Sequence, residues 1–379
     1  MRESVIAISE LYVDHTGGDD FTGDGSITFP YQTLSRAFTD ATSSTANYRF
    51  NVKNTSSSSP MTSLGSLPTG HTISSQMTIA PYSSSAGDTE DLLYLDASGT
   101  DKVWDQNTVD AIVFNRCQFQ NTSTDSGIFM DLDNNILFYK CTFDNCVPQA
   151  DNTTGAYYCT WKNMVASGGV SFFKTSSTGF MHGCLITGSG ESNLAFLVQC
   201  ASITNSMFYW DGTVDLFWRG LGAAGRCVNN AFIYSDATHS TGDGNGVMID
   251  DQQICEYNYF ENCNLAIDDE NNSEVIMNGP NAFYNNTTKR FTVDSNMIDL
   301  AAPMVPADYD LTSSGYPNAS SNNWAMSDDL RNLRTNQYTP FTGTSTAIEA
   351  YFGAFVKTAD GSGGTTGRQG LHAIESGSV

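Results

Sequence analysis

The sequence is short of positive charge: 17 Lys and Arg stand against 41 Asp and Glu, a formal net charge of −24. Such a chain repels phosphate backbones and anionic lipid at long range, so neither nucleic acid nor a membrane surface is an expected partner. Long apolar runs are also missing, and none approaches the roughly 18 residues of a membrane span. The first residues, MRESVIAISELYVD, lack the charged, apolar and small-residue succession of a signal peptide, so Sec export is not expected. HExxH, GxSxG and GxxxxGK are absent, and His15, His71, His182, His239 and His372 are scattered, which argues against zinc-protease, serine-hydrolase and NTPase chemistry. Nine cysteines is an odd number, so at least one thiol is unpaired within the chain and a disulfide scaffold is disfavoured. Only 15% of residues are charged, yet 12% are aromatic, which separates this Ser, Thr, Asn and Gly richness from disorder.

What is present is a period. Segments reading Cys or Asn, any residue, aromatic, any residue, Asn or Ser recur at RCQFQN, KCTFDN, YCTWKN, GCLITGS, NSMFYW, NNAFIY, YNYFEN and PNAFYN. Their anchors, Phe119, Phe143, Trp161, Ile186, Phe208, Phe232, Phe260 and Phe283, advance by 24, 18, 25, 22, 24, 28 and 23 residues. A period of this size points to stacked repeats. Residues two apart on a strand share a face, so each anchor and the residue two before it face inward while their neighbours face out. Helical repeats would need apolar residues at three- and four-residue spacing over longer, less Gly- and Asn-punctuated segments. The remaining architecture is all-β: a right-handed parallel β-helix, in which the anchors form an internal ladder at about 4.8 Å per coil. The residues two before them, Cys117, Cys141, Cys159 and Cys184, then Ser206, Asn230, Asn258 and Asn281, form a thiol ladder passing into a polar one, and the thiols are expected to be reduced and buried. Without a CxxC pair or a nearby His, core packing outweighs a metal or redox role for them.

With these residues in place, the chain resembles the pectate-lyase-like right-handed β-helix superfamily in three segments. LYVDHTGGDDFTGDGSITFPYQTLSRAFTDA is similar to its opening strand, Gly/Asp turn and capping helix. The Asn-x-Phe coils are the second. DYDLTSSGYPNAS with DDLRNLR and IEAYFGAFVK is similar to its closing segments, with departures at Tyr316 to Ala319 and in the missing acid before Gly353. The resemblance implies the fold; lyases, hydrolases, adhesins and phage spikes share it. The expected organisation is a strand and capping helix over 1–45, early coils over 46–110, a regular β-helix over 111–300 and an irregular end coil over 301–356. A flexible linker and docking peptide follow over 357–379.

An enzyme of this kind would cluster carboxylates on one face. Asp250, Asp251, Asp268 and Asp269 flank one coil and are the catalytic candidates, although 41 acids produce such pairs by chance. Lys140, Lys162, Lys174 and Arg219 are candidate bases without a motif. Asp19, Asp20 and Asp24 lie in a Gly-rich turn that suits either Ca²⁺, the one cofactor considered, or simple capping. Trp210, Trp218 and Arg219, with Phe217, suit stacking on a glycan or a place in the core. Arg368, Leu371, His372, Ile374 and Glu375 restore apolar and charged character after the linker and are candidates for docking on other virion proteins. The expected function is a non-enzymatic virion exterior protein, a capsid decoration or tail β-helix that contacts host-surface glycans and is compatible with homo-oligomers. The alternatives are a polysaccharide depolymerase or a bacterial surface adhesin, secreted or cell-surface.

Overall fold

The computed structural model describes residues 8–41, 47–53, 60–61, 73–83, 92–96, 104–105, 109–120, 128–132, 135–150, 154–165, 172–175, 178–220, 225–236, 244–248, 254–269, 277–278, 281–292, 309–321, 327, 330, 334–338 and 347–351. The chain divides into two units, Met1–Val165 with Ser171–Gly179, and Ala166–Val170 with Phe180–Val379. Each is built from three parallel sheets that the chain visits in turn.

In the first unit, sheet one stacks Ile8–Val13, Asn47–Lys53, Ile73–Tyr82, Val109–Asn115, Asn135–Tyr139 and Thr154–Tyr157. Sheet two stacks Leu93–Asp96, Cys117–Gln120, Thr142–Asp144 and Thr160–Val165, and sheet three stacks Trp104–Asp105, Ile128–Leu132, Val147–Ala150 and Phe173–Lys174. The second unit repeats the plan. Its sheet one runs through Phe180–His182, Ser202–Thr204, Arg226–Val228, Ile254–Glu256 and Met277–Asn278. Sheet two runs through Leu185–Ser189, Met207–Asp211, Ala231–Tyr234, Tyr259–Glu261, Ala282–Tyr284 and Tyr309–Asp310. Sheet three runs through Ser192–Cys200, Val214–Gly220, Asn245–Met248, Leu265–Asp269 and Thr288–Thr292. The fold is therefore the parallel β-helix that the period implies.

The anchors carry the interior. Leu95, Phe119, Phe143 and Trp161 are in register in the first unit, and Ile186, Phe208, Phe232, Phe260 and Phe283 in the second. All are buried. Their rings stack face to face, with centroids 5.0 Å apart for Phe119 and Phe143, 4.7 Å for Phe143 and Trp161, and 5.1 Å for Phe232 and Phe260. Each such burial contributes roughly 1.5–3 kcal/mol.

From the Phe119 coil onward the corner between sheets one and two is constant, whereas Ile79, the register partner of Phe114, precedes Leu95 by 16 residues. Phe114, Phe138 and Ala156, and in the second unit Met181, Ile203, Cys227 and Cys255, each precede their anchor by five residues. Between them a single left-handed residue makes the bend: Arg116 (φ 56°), Lys140 (54°) and Tyr158 (55°) in the first unit, Gly183 (65°), Asn205 (50°), Asn229 (57°) and Tyr257 (57°) in the second. Just past the bend sits the thiol or polar ladder. All nine cysteines are buried and free, and burial pushes the Cys200 thiol up to about 12. The Sγ of Cys141 donates to Phe114 O at 3.3 Å and that of Cys159 to Phe138 O at 3.4 Å. In the second unit an amide does this work: Asn258 Nδ2 donates to Cys227 O at 2.8 Å, while its Oδ1 accepts from Asn230 N at 2.9 Å and Asn230 Nδ2 at 3.0 Å. Asn281 stands in the same relation to Asn258, at 2.9 and 3.1 Å.

Both units carry a cover. Helix Leu34–Asp40, N-capped by Thr33, buries Leu34, Ala37 and Phe38, and Phe38 meets Phe50 edge-on at 4.9 Å. In the second unit Tyr316, Ala319 and Leu330 pack on the outward face of sheet two against Tyr257, Tyr259 and Ala282. Tyr259 Oη donates to Glu261 Oε2 at 2.6 Å and accepts from Gly315 N at 2.6 Å, and Ser314 Oγ donates to the same carboxylate at 2.9 Å. Within the span read as an irregular end coil, Arg334–Tyr338 and Ala347–Tyr351 pair antiparallel. Among the described residues no helix is long and apolar enough to cross a membrane.

Candidate functional site

Trp210 and Trp218 are 0% exposed, so the stacking surface read there is corrected: these rings are core. Trp210 lies two residues after Phe208 on one strand and shares its inward face, with Nε1 donating to Gly190 O at 2.9 Å. Trp218 belongs to a strand whose residues Leu216, Phe217 and Trp218 are all buried, and Arg219 beside it is half-buried. Asp268 is buried in Leu265–Asp269, the strand that also carries Asp269. Asp250 and Asp251, and Arg368, Leu371, His372, Ile374 and Glu375, lie outside the described residues. Lys162 is paired with Asp144 at 3.1 Å.

The three acids of the N-terminal turn are spent on the turn itself. Asp19 accepts from Phe21 N, Thr22 N and Thr22 Oγ1, Asp20 from Gln32 N, Thr33 N and Thr33 Oγ1, and Asp24 from Ser26 N. Those donors hold Asp19 below the usual carboxylate range, the Phe21 N–H first, and Asp24 likewise through Ser26. Among the described residues no group of three or more His, Cys, Asp or Glu is arranged to hold a metal ion.

The surface with recognisable chemistry includes Lys140, a candidate base on its sequence alone, and groups it with residues that the sequence does not single out. At the corner after sheet one of the first unit, three coils present Asn115 and Arg116, Tyr139 and Lys140, and Tyr157 and Tyr158, all half-buried. Asn115 pairs with Tyr139 in register, and Tyr139 with Tyr157. Backbone bonds from Arg116 N to Tyr139 O and from Lys140 N to Tyr157 O, both 2.9 Å, fix the spacing of the coils. The Tyr158 ring stands edge-on to Tyr139 at 6.1 Å and 6.4 Å from Tyr157, and Lys140 Nζ lies 5.2 Å from the Tyr139 centroid. The result is a ledge of phenol rings and two cations on a strongly acidic chain. Such rings stack on the apolar face of a pyranose, while their hydroxyls and the cations donate to its oxygens.

The ledge is held at a cost. A left-handed conformation disfavours a residue other than Gly or Asn by about 1–2 kcal/mol. The second unit mostly answers the same corner with Gly183, Asn205 and Asn229, whereas the first keeps Arg116, Lys140 and Tyr158. Strain retained for long side chains points to a task for those side chains. The signal available in the sequence was the run NRC, YKC and YYC, whose outward members are only brought together by the register of successive coils. Comparison with protein-family models found none that matches this chain, and comparison with curated proteins found no matching sequence.

Proposed function

We propose that the chain is a non-enzymatic β-helix of a virion exterior, akin to the pectate-lyase-like superfamily, and that its first unit holds a host-surface glycan on the Tyr139, Tyr157 and Tyr158 ledge. The observation that carries this reading is the solvent-facing ledge, in which Tyr158, Arg116 and Lys140 are kept at strained left-handed positions beside Tyr139 and Tyr157. The virion setting is supported by nine buried free thiols, which suit assembly in a reducing cytoplasm, and by the Gly-rich linker with its apolar terminal peptide. The test is binding of the purified chain to soluble polysaccharides prepared from candidate host surfaces. Tyr139→Ala with Tyr157→Ala should weaken binding by at least about tenfold, equivalent to about 1.4 kcal/mol, and incubation should release no new reducing or unsaturated ends. Undiminished binding by the double variant would remove the ledge from the reading, and product release would make the chain a depolymerase. Co-sedimentation with particles, lost on deletion of 358–379, tests the virion setting separately.

A further inference from the structure

A second surface, unrelated to the ledge, stands on the turn between the first strand and the capping helix. Phe21 is 99% exposed, Phe29 61% and Ile27 42%. Leaving a Phe side chain in water forgoes the stabilisation that its burial would give. A loose loop would shield such a ring by collapsing onto the protein, but this turn is held open. Besides the Asp19, Asp20 and Asp24 bonds described above, Asp19 N donates to Pro30 O at 3.1 Å, Gly23 N to Asp19 O at 2.9 Å and Asp24 N to Phe29 O at 3.0 Å. The backbone is packed so closely that a Cβ at Gly18 would fall 2.2 Å from Tyr31 O, and one at Gly23 2.4 Å from Asp19 O. The ring is thus presented on a preformed support, which lowers the ordering cost of binding, and rigid aromatic anchors are the groups that dominate interfaces.

Charge decides what such a knob fits. Residues 16–30 contain Asp19, Asp20 and Asp24 and no Lys or Arg. An anionic lipid surface and a second copy of this chain, at net charge −24, are both repelled. We propose that the turn is a docking knob, with Phe21 as its anchor, for a partner protein that offers an apolar socket ringed by lysine or arginine.

The test uses the full chain and a displayed library of random peptides, selected on the wild type and counter-selected on Phe21→Ser. Because Phe21 is fully exposed, that variant should keep the wild-type circular dichroism spectrum and urea midpoint. The expected peptides combine aromatic or aliphatic residues with Lys or Arg, bind about 30-fold more weakly to Phe21→Ser, and weaken further as salt is raised. Peptides that bind both proteins alike, or that bind through Phe21 without cations or salt dependence, overturn the proposal. So does Phe21-dependent dimerisation in sedimentation, which would make the occupant a second copy, or Phe21-dependent flotation with phosphatidylcholine and phosphatidylglycerol vesicles. None of these outcomes bears on the ledge.

Discussion

Asn258→Ala removes the middle of the polar ladder, and its cost can be worked from the groups left behind. Asn258 is fully buried. Its Oδ1 is the acceptor for Asn230 N and Nδ2, and its Nδ2 donates to Cys227 O and, at 3.1 Å, to Asn281 Oδ1. Alanine leaves the Asn230 amide and the Cys227 carbonyl to find partners in an interior that water does not reach. At about 1–3 kcal/mol for each orphaned group, the loss is about 2–6 kcal/mol. Urea unfolding followed by circular dichroism should show the midpoint falling with little change in slope. Asn258→Asp sharpens the test, because it keeps the shape and the acceptor but replaces the donor with a buried charge. Burial raises the folded-state pKa of such a carboxyl above its unfolded value of about 3.9. Its stability is therefore nearest to Asn below that value and is lost as pH rises through the folded pKa. A loss under about 1 kcal/mol for the alanine variant, or no pH dependence for the aspartate, would refute the argument that the ladder is held by these bonds.

Glu261 sits buried with two hydroxyl donors, and burial raises its pKa against their opposing pull. The folded state then holds the proton more tightly than the unfolded chain, so stability falls as pH rises through that window. Glu261→Gln should flatten the slope of melting temperature against pH from 4 to 8, and identical slopes would refute this. Thiol titration should find no fast-reacting cysteine in the native chain and nine per chain in denaturant without reductant, and fewer than nine would mean that disulfides form. Phe232→Ala should cost about 3–5 kcal/mol in urea unfolding, whereas Phe21→Ala should stay within about 0.5 kcal/mol; similar losses at the two sites would contradict their placement.

The interior was legible because it obeys a period of two within each strand and of one coil between strands. Phe119, Phe143 and Phe260 could be assigned inward from sequence, and the same parity puts Trp210 with Phe208. Trp218 was not legible, since Leu216, Phe217 and Trp218 are buried together and a strand covered on both faces shows no alternation. The bend at Arg116, Lys140 and Tyr158 was hidden for the opposite reason: none of these residues favours a left-handed conformation, so propensity gave no sign of it. The cover of Tyr259 depends on Gly315, 56 residues away, and no local pattern encodes that pairing. The ledge needed three coils in register before its members became neighbours.

The five-residue step across the corner between sheets one and two, kept from Phe119 to Phe283, has a consequence for how the chain tolerates length changes. Coil lengths vary from 18 to 28 residues between successive anchors, yet this step does not change. Among these coils the differences in length therefore fall outside the corner, which acts as the reading frame of the fold. One residue added between Tyr139 and Cys141 would shift the parity of the strand that follows and turn Phe143 toward solvent. Segments of foreign sequence grafted beyond sheet two would leave that frame untouched. In the coils from Phe119 to Phe283, then, one side absorbs the differences in length while the other stays fixed.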